Sequence, residues 1–171
     1  MTTTFWTTLD SPVGDLLLTS DGAALTRVLF APYDVAPGWV DERDTVLAEA
    51  VRQLDAYFAG RRTDFDLPLE PAEGTDFQRR VWLRLREIPY AHTINYGQLA
   101  GRVGNPNASR AVGLANGRNP LSIVVPCHRV IGADGSLTGY GGGLDRKRLL
   151  LDLERRVAGD ETADTQLSLL P

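Results

Sequence analysis

Cys127 is the single cysteine of this 171-residue chain, and it lies in the run Leu121-Ser-Ile-Val-Val-Pro-Cys-His-Arg-Val130. A thiolate is a strong nucleophile, and an adjacent imidazole and guanidinium are surroundings that favour loss of the thiol proton. The same pattern, a thiol after a run of aliphatics, also describes a small buried hydrophobe. The rest of the chain has to decide between the two readings. Two histidines, His92 and His128, are available to activate the sulfur. In an extended segment neighbouring side chains point to opposite faces, so a water is expected to carry the proton between Cys127 and His128. A carboxylate behind the imidazole would fix its tautomer, and Glu154 is the candidate.

Composition narrows the function classes. No apolar run is long enough to span a bilayer, and the N-terminus lacks the basic segment and apolar core of a secretory signal. One cysteine excludes an internal disulfide and a multi-cysteine zinc site, so no metal and no cofactor are expected. A reducing cytoplasm is the expected home. The net charge of −4 conceals a segregation: residues 1–76 carry 5 Arg against 14 Asp/Glu, and residues 77–156 carry 13 Arg/Lys against 5 Asp/Glu. A basic half of this kind fits a polyanionic partner, although solvated basic helix faces give the same count.

The elements that must position Cys127 follow from periodicity and turn chemistry, and together they predict an α+β fold. Residues 5–9, 15–19 and 25–30 read as strands of a small antiparallel sheet, and 31–43 as a loop. A helix is expected over 45–59, with Tyr57 in its apolar stripe, then a short edge strand over 65–69 and a linker over 70–74. The charge changes sign there, so the chain divides into an acidic domain, 1–74, and a basic domain, 75–156, followed by a mobile tail, 157–171.

The basic domain is expected to be mostly helical. Thr75-Asp-Phe-Gln78 is a capping box opening one helix. Asn95 caps a second over 96–103, and Asn107 caps a third over 108–116. The last two, joined by Gly104-Asn105-Pro106, have helix-turn-helix grammar. The third helix carries small residues and one long side chain, Arg110. That composition suits close approach to a minor groove with base extrusion better than base reading in the major groove. Residues 130–131 and 136–138 around Gly132-Ala-Asp-Gly135 read as a wing-like hairpin. A glycine-rich loop, 139–143, and a last helix over 146–156 follow. That helix should bury Leu149, Leu150 and Leu153. Its Arg146-Lys147-Arg148 cluster opposes the helix dipole, which points to outside partners such as DNA phosphates.

Taken together, Pro126-Cys-His-Arg-Val130, Asn105-Pro106, Arg110-Ala-Val-Gly113, Asn119-Pro120 and Gly142-Gly-Leu144 resemble the O6-alkylguanine-DNA alkyltransferases. The resemblance runs from about residue 75 to 154, with a looser match before it. It implies direct, irreversible repair of duplex DNA by a monomer, with cooperative assembly on DNA left open. An alkyl group on guanine O6, or on thymine O4, moves to the protein's own thiol, once per molecule. Carried over residue by residue, Cys127 is the acceptor, His128 the water-mediated base and Glu154 the end of the relay. Asn119 braces the cysteine loop, and Tyr96 donates to guanine N3. Arg110 fills the stack, with Ala111, Asn105, Gly97 and Gln78 among the DNA contacts. Tyr140, Gly141, Val130 and Pro126 form the base pocket. Some relatives have serine where this chain has Gly141, so a contact to O6 would come from backbone N–H groups near Cys127 and Gly141. Three other readings compete. A cysteine hydrolase would leave the helix-turn-helix unexplained. A non-catalytic lesion binder would not need Cys127. A transcription regulator would need polar base-reading residues, which the third helix lacks.

Overall fold

The structure is a computed structural model that describes the backbone of residues 2–168 and the side chains of residues 2–159. Strands β1 (Phe5–Leu9), β2 (Leu16–Ser20) and β3 (Leu25–Phe30) form the expected antiparallel meander. The loop expected over 31–43 contains a fourth strand, β4 (Val40–Asp41), which pairs parallel with β1 and completes the order β3-β2-β1-β4. A two-residue strand has no period to read, which is why the sequence hides it. Helix α1 (Thr45–Phe58) packs on this sheet through Leu47, Ala50, Val51, Leu54 and Tyr57, and Asp44 caps it by accepting from Leu47 N–H.

The second half is built from α2 (Asp76–Leu85), α3 (Tyr96–Val103) and α4 (Ser109–Gly117). The capping box of α2 forms as read, Thr75 with Gln78, and Asn95 caps α3 as read, with Gln98 completing a second box not read from the sequence. The cap expected at α4 does not form. Ala108 occupies the cap position without a side-chain bond, and Asn105 Oδ1 instead accepts from Asn107 N–H at 3.2 Å, an Asx turn within the connection. Buried Trp82 of α2 donates to Ala115 O at 2.8 Å and ties α2 to α4.

The wing is also corrected. The Gly132 turn closes, with Gly132 N–H to Ser136 O at 2.8 Å, but residues 136–138 form no strand. Strand β6 (Val130–Ile131) instead pairs parallel with β5 (Ile94–Asn95). The short strand expected over 65–69 reduces to a bridge between Leu69 and Leu25.

That bridge belongs to the free edge of β3, which also takes Leu121. Val28 N–H donates to Pro120 O at 2.8 Å, and Ser122 N–H to Val28 O at 3.3 Å. The chain leading to Cys127 is therefore anchored to the acidic sheet. One buried apolar cluster runs through both halves, from Leu16 and Leu54 to Val112 and Leu153.

Helix α5 (Leu144–Ser168) starts earlier and runs further than expected; the tail expected from 157 continues it, and residues 169–171 lie outside the described residues. Its buried face is Lys147, Leu150, Leu151, Leu153 and Glu154, while Leu149 points outward. The helix is rotated from the phase that three leucines imply, because it buries a lysine and a glutamate two turns apart.

Gly74 sits at the junction of the two halves. Its φ is +139°, and a Cβ there would lie 2.5 Å from the Trp82 ring. Gly74→Ala is expected to cost roughly 1–3 kcal/mol, from overpacking on top of the backbone penalty. Urea denaturation measures it; an unchanged midpoint would show that the junction relaxes freely.

Candidate active site

Cys127 opens a one-turn 3-10 helix, Cys127–Arg129, rather than the extended segment read from the sequence. Successive side chains on such a turn diverge by about 120°, so Cys127, His128 and Arg129 still face different neighbours. The turn leading into it is tight. Val125 N–H bonds to Leu121 O at 2.9 Å, and Ile123 has a φ of +73°, an outlier for a β-branched residue. Asn119 holds this turn at both ends. Its Oδ1 accepts from Leu121 N–H at 3.0 Å and its Nδ2 donates to Val125 O at 2.9 Å. Asn116, to which the sequence assigns no role, donates to Cys127 O at 3.3 Å.

His128 is fully buried, and its Nε2 lies 2.6 Å from Glu154 Oε2. Glu154 also accepts Arg129 Nε on Oε1 at 2.8 Å, Arg129 Nη2 on Oε2 at 3.1 Å, Ala91 N–H on Oε1 at 3.1 Å and the Tyr57 hydroxyl on Oε2 at 2.6 Å. Burial alone would raise this carboxyl. Its bonds to His128 and Arg129 outweigh that and hold it far below the usual carboxylate range. An ionised carboxylate can only accept, so the shared proton is on His128 Nε2, an assignment that rests on the hydrogen-bond network. Nδ1, which has no hydrogen-bond partner among the described residues, is then the basic lone pair. Burial lowers the imidazole pKa, and the opposing pull of Glu154 does not restore it, so His128 is neutral at pH 7. The other histidine, His92, is exposed on the loop before β5, with Nδ1 2.9 Å from Tyr90 O.

The thiol itself is only 3% exposed. Burial pushes its pKa up; Asn119, the Lys147 cation and the Tyr140 hydroxyl pull it down without cancelling that effect. The resting nucleophile is therefore a thiol that needs a base. Lys147 is the group that the sequence misassigned. It is fully buried and donates to Val130 O at 2.5 Å and Thr138 O at 3.0 Å, which takes it away from any phosphate. Desolvation lowers its pKa to about 8. Arg146 likewise turns inward, to Val13 O at 2.9 Å and Gly142 O at 3.2 Å.

Cys127 opens onto a cavity of about 330 Å³ lined by Tyr140, Gly141, Gly142, Asn116 and Asn119 on one side and by Phe30, Pro32 and Tyr33 of the acidic half on the other. Pro126 and Val130 are buried and do not line it, because Pro126 caps the 3-10 turn and Val130 joins β6. The Cys127 N–H is not available as an oxyanion donor, since it bonds to Val125 O at 2.8 Å. The Tyr96 hydroxyl donates to Thr138 O at 3.0 Å, the same carbonyl that Lys147 holds.

On the outer face of α4, Arg110, Ala111, Gly117 and Arg118 are exposed around Leu114, which is 65% exposed. Asn105 and Gly97 are exposed nearby on the same helical pair. Gln78 spends its Oε1 on the α2 capping box, at 2.9 Å from Thr75 N, and lines a cleft that also contains Arg118.

Fold and site thus define a protein in which a helix-turn-helix half holds a buried imidazole–carboxylate pair and a buried thiol that borders an open pocket. The chain belongs to the O6-methylguanine DNA methyltransferases. Residues 4–71 match that family's ribonuclease-like domain and residues 76–156 its DNA binding domain. The chain is 55% identical over 152 residues to the methylated-DNA–protein-cysteine methyltransferase of Mycolicibacterium paratuberculosis, covering 87% of this chain and 91% of the relative. Identity to the protein of the same name from Methanosarcina acetivorans is 53% over 154 residues, covering 88% and 97%. Among solved structures, Mycobacterium tuberculosis OGT in complex with DNA superposes with a TM-score of 0.84 at 51% identity, covering 90% of this chain and 94% of that one.

Lys147→Met, which keeps the length and removes the charge, should raise the pH midpoint of Cys127 alkylation by iodoacetamide, by roughly one unit. An unchanged or lower midpoint would mean that the lysine only holds the Val130 and Thr138 carbonyls.

Proposed function

We propose that this protein repairs O6-alkylguanine in duplex DNA by moving the alkyl group irreversibly to Cys127. The observation that carries the reading is the Glu154–His128 pair behind a buried thiol that faces a pocket beside the exposed face of α4. Segment 75–156 is the DNA-binding and acceptor domain, and segment 1–74 supports it.

The chemistry follows from the geometry. Neutral His128 takes the thiol proton at Nδ1 through a bridging water, and Glu154 stabilises the imidazolium that results. The thiolate attacks the alkyl carbon; the S–C bond forms as the C–O6 bond breaks, and the electron pair leaves on the guanine. Tyr96 moves from Thr138 O to guanine N3, so that the leaving base departs protonated or strongly hydrogen-bonded. The thioether product has no good leaving group, so each molecule reacts once. Asn119 keeps the strained turn at Ile123 from relaxing and so fixes the sulfur. Tyr140, Gly141 and Gly142 receive the base.

On the DNA side, Arg110 enters the stack as the damaged nucleotide rotates out. Ala111, Leu114 and Gly117 let α4 sit close to the minor-groove walls, with Asn105, Gly97 and Gln78 beside it. Thymine O4 is a second target of the same pocket, since it presents an alkyl group on an equivalent enol oxygen. The reducing cytoplasm keeps the single thiol usable. Turnover is what separates this reading from a cysteine hydrolase.

Incubation with a duplex containing O6-methylguanine, or O4-methylthymine, followed by intact mass and peptide mapping tests the proposal. One methyl on Cys127 per molecule is expected. Multiple turnovers, or tight binding without an adduct, would refute it. Cys127→Ser should bind the lesion duplex without repair. Arg110→Ala should slow transfer about tenfold, the equivalent of ~1.4 kcal/mol, with a smaller effect on binding to undamaged duplex.

A further inference from the structure

Tyr57 belongs to α1, in the acidic half, and the sequence places it in an ordinary apolar stripe. Its ring behaves accordingly. It packs against Phe58, Phe65 and Tyr90 at centroid distances of 5.3, 5.5 and 6.2 Å. Its hydroxyl does something else. It reaches across from α1 to donate at 2.6 Å to Glu154 Oε2, the oxygen that also takes His128 Nε2 at 2.6 Å.

We infer that Tyr57 is a positioning residue for the alkyl-transfer relay: by donating to Glu154 Oε2 it limits that oxygen's pull on the His128 proton and so sets the basicity of His128 Nδ1. The inference rests on the alkyl-transfer reading for its full consequence. Three donors, Tyr57, His128 and Arg129 Nη2, share the negative charge of this one carboxylate oxygen. The phenol's share weakens what remains for the imidazolium, which keeps His128 neutral and ready to accept a proton at neutral pH. It also gives the acidic half a chemical part in the site, beyond the wall of the pocket.

The groups that act on this pair can be named from each element around it. From the 3-10 turn comes Arg129, whose Nε and Nη2 bond to Glu154. From α5 comes the Lys147 cation, which acts on His128. From the loop before β5 comes Tyr90, whose ring lies 5.6 Å from the Arg129 guanidinium. From α1 comes Tyr57 alone. Removing the Tyr57 hydroxyl leaves the others in place, so its effect is separable. Burial, the negative charge of Glu154 and their hydrogen bond all keep the phenol protonated well above its ordinary range, so it remains a donor throughout the working pH.

The test is the pH dependence of two reactions of Cys127: methyl transfer from an O6-methylguanine duplex, and DNA-free alkylation by iodoacetamide. In both, a base-assisted limb is lost on the acid side as His128 is protonated, and it lies below the rise in alkylation that follows ionisation of the thiol itself. Tyr57→Phe keeps the ring and drops the hydroxyl; Glu154 then pulls harder on the imidazolium, and the acid limb should move to higher pH by roughly half a unit to one unit. Site-specific 3-fluorotyrosine at position 57, a stronger donor, should move it the other way. Opposite shifts support the inference. An unmoved limb in both variants, or shifts of the same sign with a lowered melting temperature, would reduce Tyr57 to packing. If Tyr57→Phe does not fold, the fluorotyrosine protein decides alone. If the wild-type protein transfers no methyl group, the alkyl-transfer reading fails, and the iodoacetamide limb still decides the role of Tyr57.

Discussion

The rest of the structure depends on one buried carboxylate. Glu154 accepts five hydrogen bonds, from Tyr57, Ala91, His128 and two nitrogens of Arg129. These donors come from α1, the loop before β5 and the 3-10 turn, so the group that tunes the base also joins three parts of the fold. An isolated carboxylate at this depth would cost several kcal/mol; a full set of donors makes the position tolerable. The same bonds to His128 and Arg129 hold Glu154 as an ionised acceptor.

Around that centre, polarity is placed with little redundancy. α5 carries Lys147 and Glu154 on one buried face, two turns apart. The cation lies near the thiol and the anion behind the imidazole. In the proposed transfer each would ease one half of the proton movement, since a positive charge favours thiolate and a negative charge favours imidazolium. The acidic half contributes more than a scaffold. Its β3 edge anchors the chain into the cysteine turn through Val28, its Phe30, Pro32 and Tyr33 wall the pocket, and its Tyr57 reaches the carboxylate. Within the basic half, Arg110 on α4 and Arg118 just after it are exposed.

The candidate site was partly legible because local sequence marks it: Cys127 and His128 are adjacent, Asn119 precedes a proline, and the carboxylate expected behind the imidazole, Glu154, does pair with His128. The three long strands and the caps of α2 and α3 were legible for the same reason, since local chemistry decides them. What could not be read was set by tertiary position. Tyr57 has the periodicity of core, and nothing local marks its hydroxyl. Lys147 stands between two arginines and looks solvated; only the rotation of α5 about its axis brings it inward. Strand β4 is two residues long, and the expected wing lost its second strand because β6 found β5 as its partner. The extended reading of Cys127–Arg129 failed because the proline before it starts a turn.

The account stands or falls on the state of one imidazole. Nitrogen-15 NMR of histidine-labelled protein at pH 7 reads it directly, with exposed His92 as the internal comparison. The account predicts that His128 is neutral, with its proton on Nε2 and an unprotonated Nδ1. An imidazolium at pH 7, or a neutral ring with its proton on Nδ1, would contradict it, because neither leaves Nδ1 free to accept a proton.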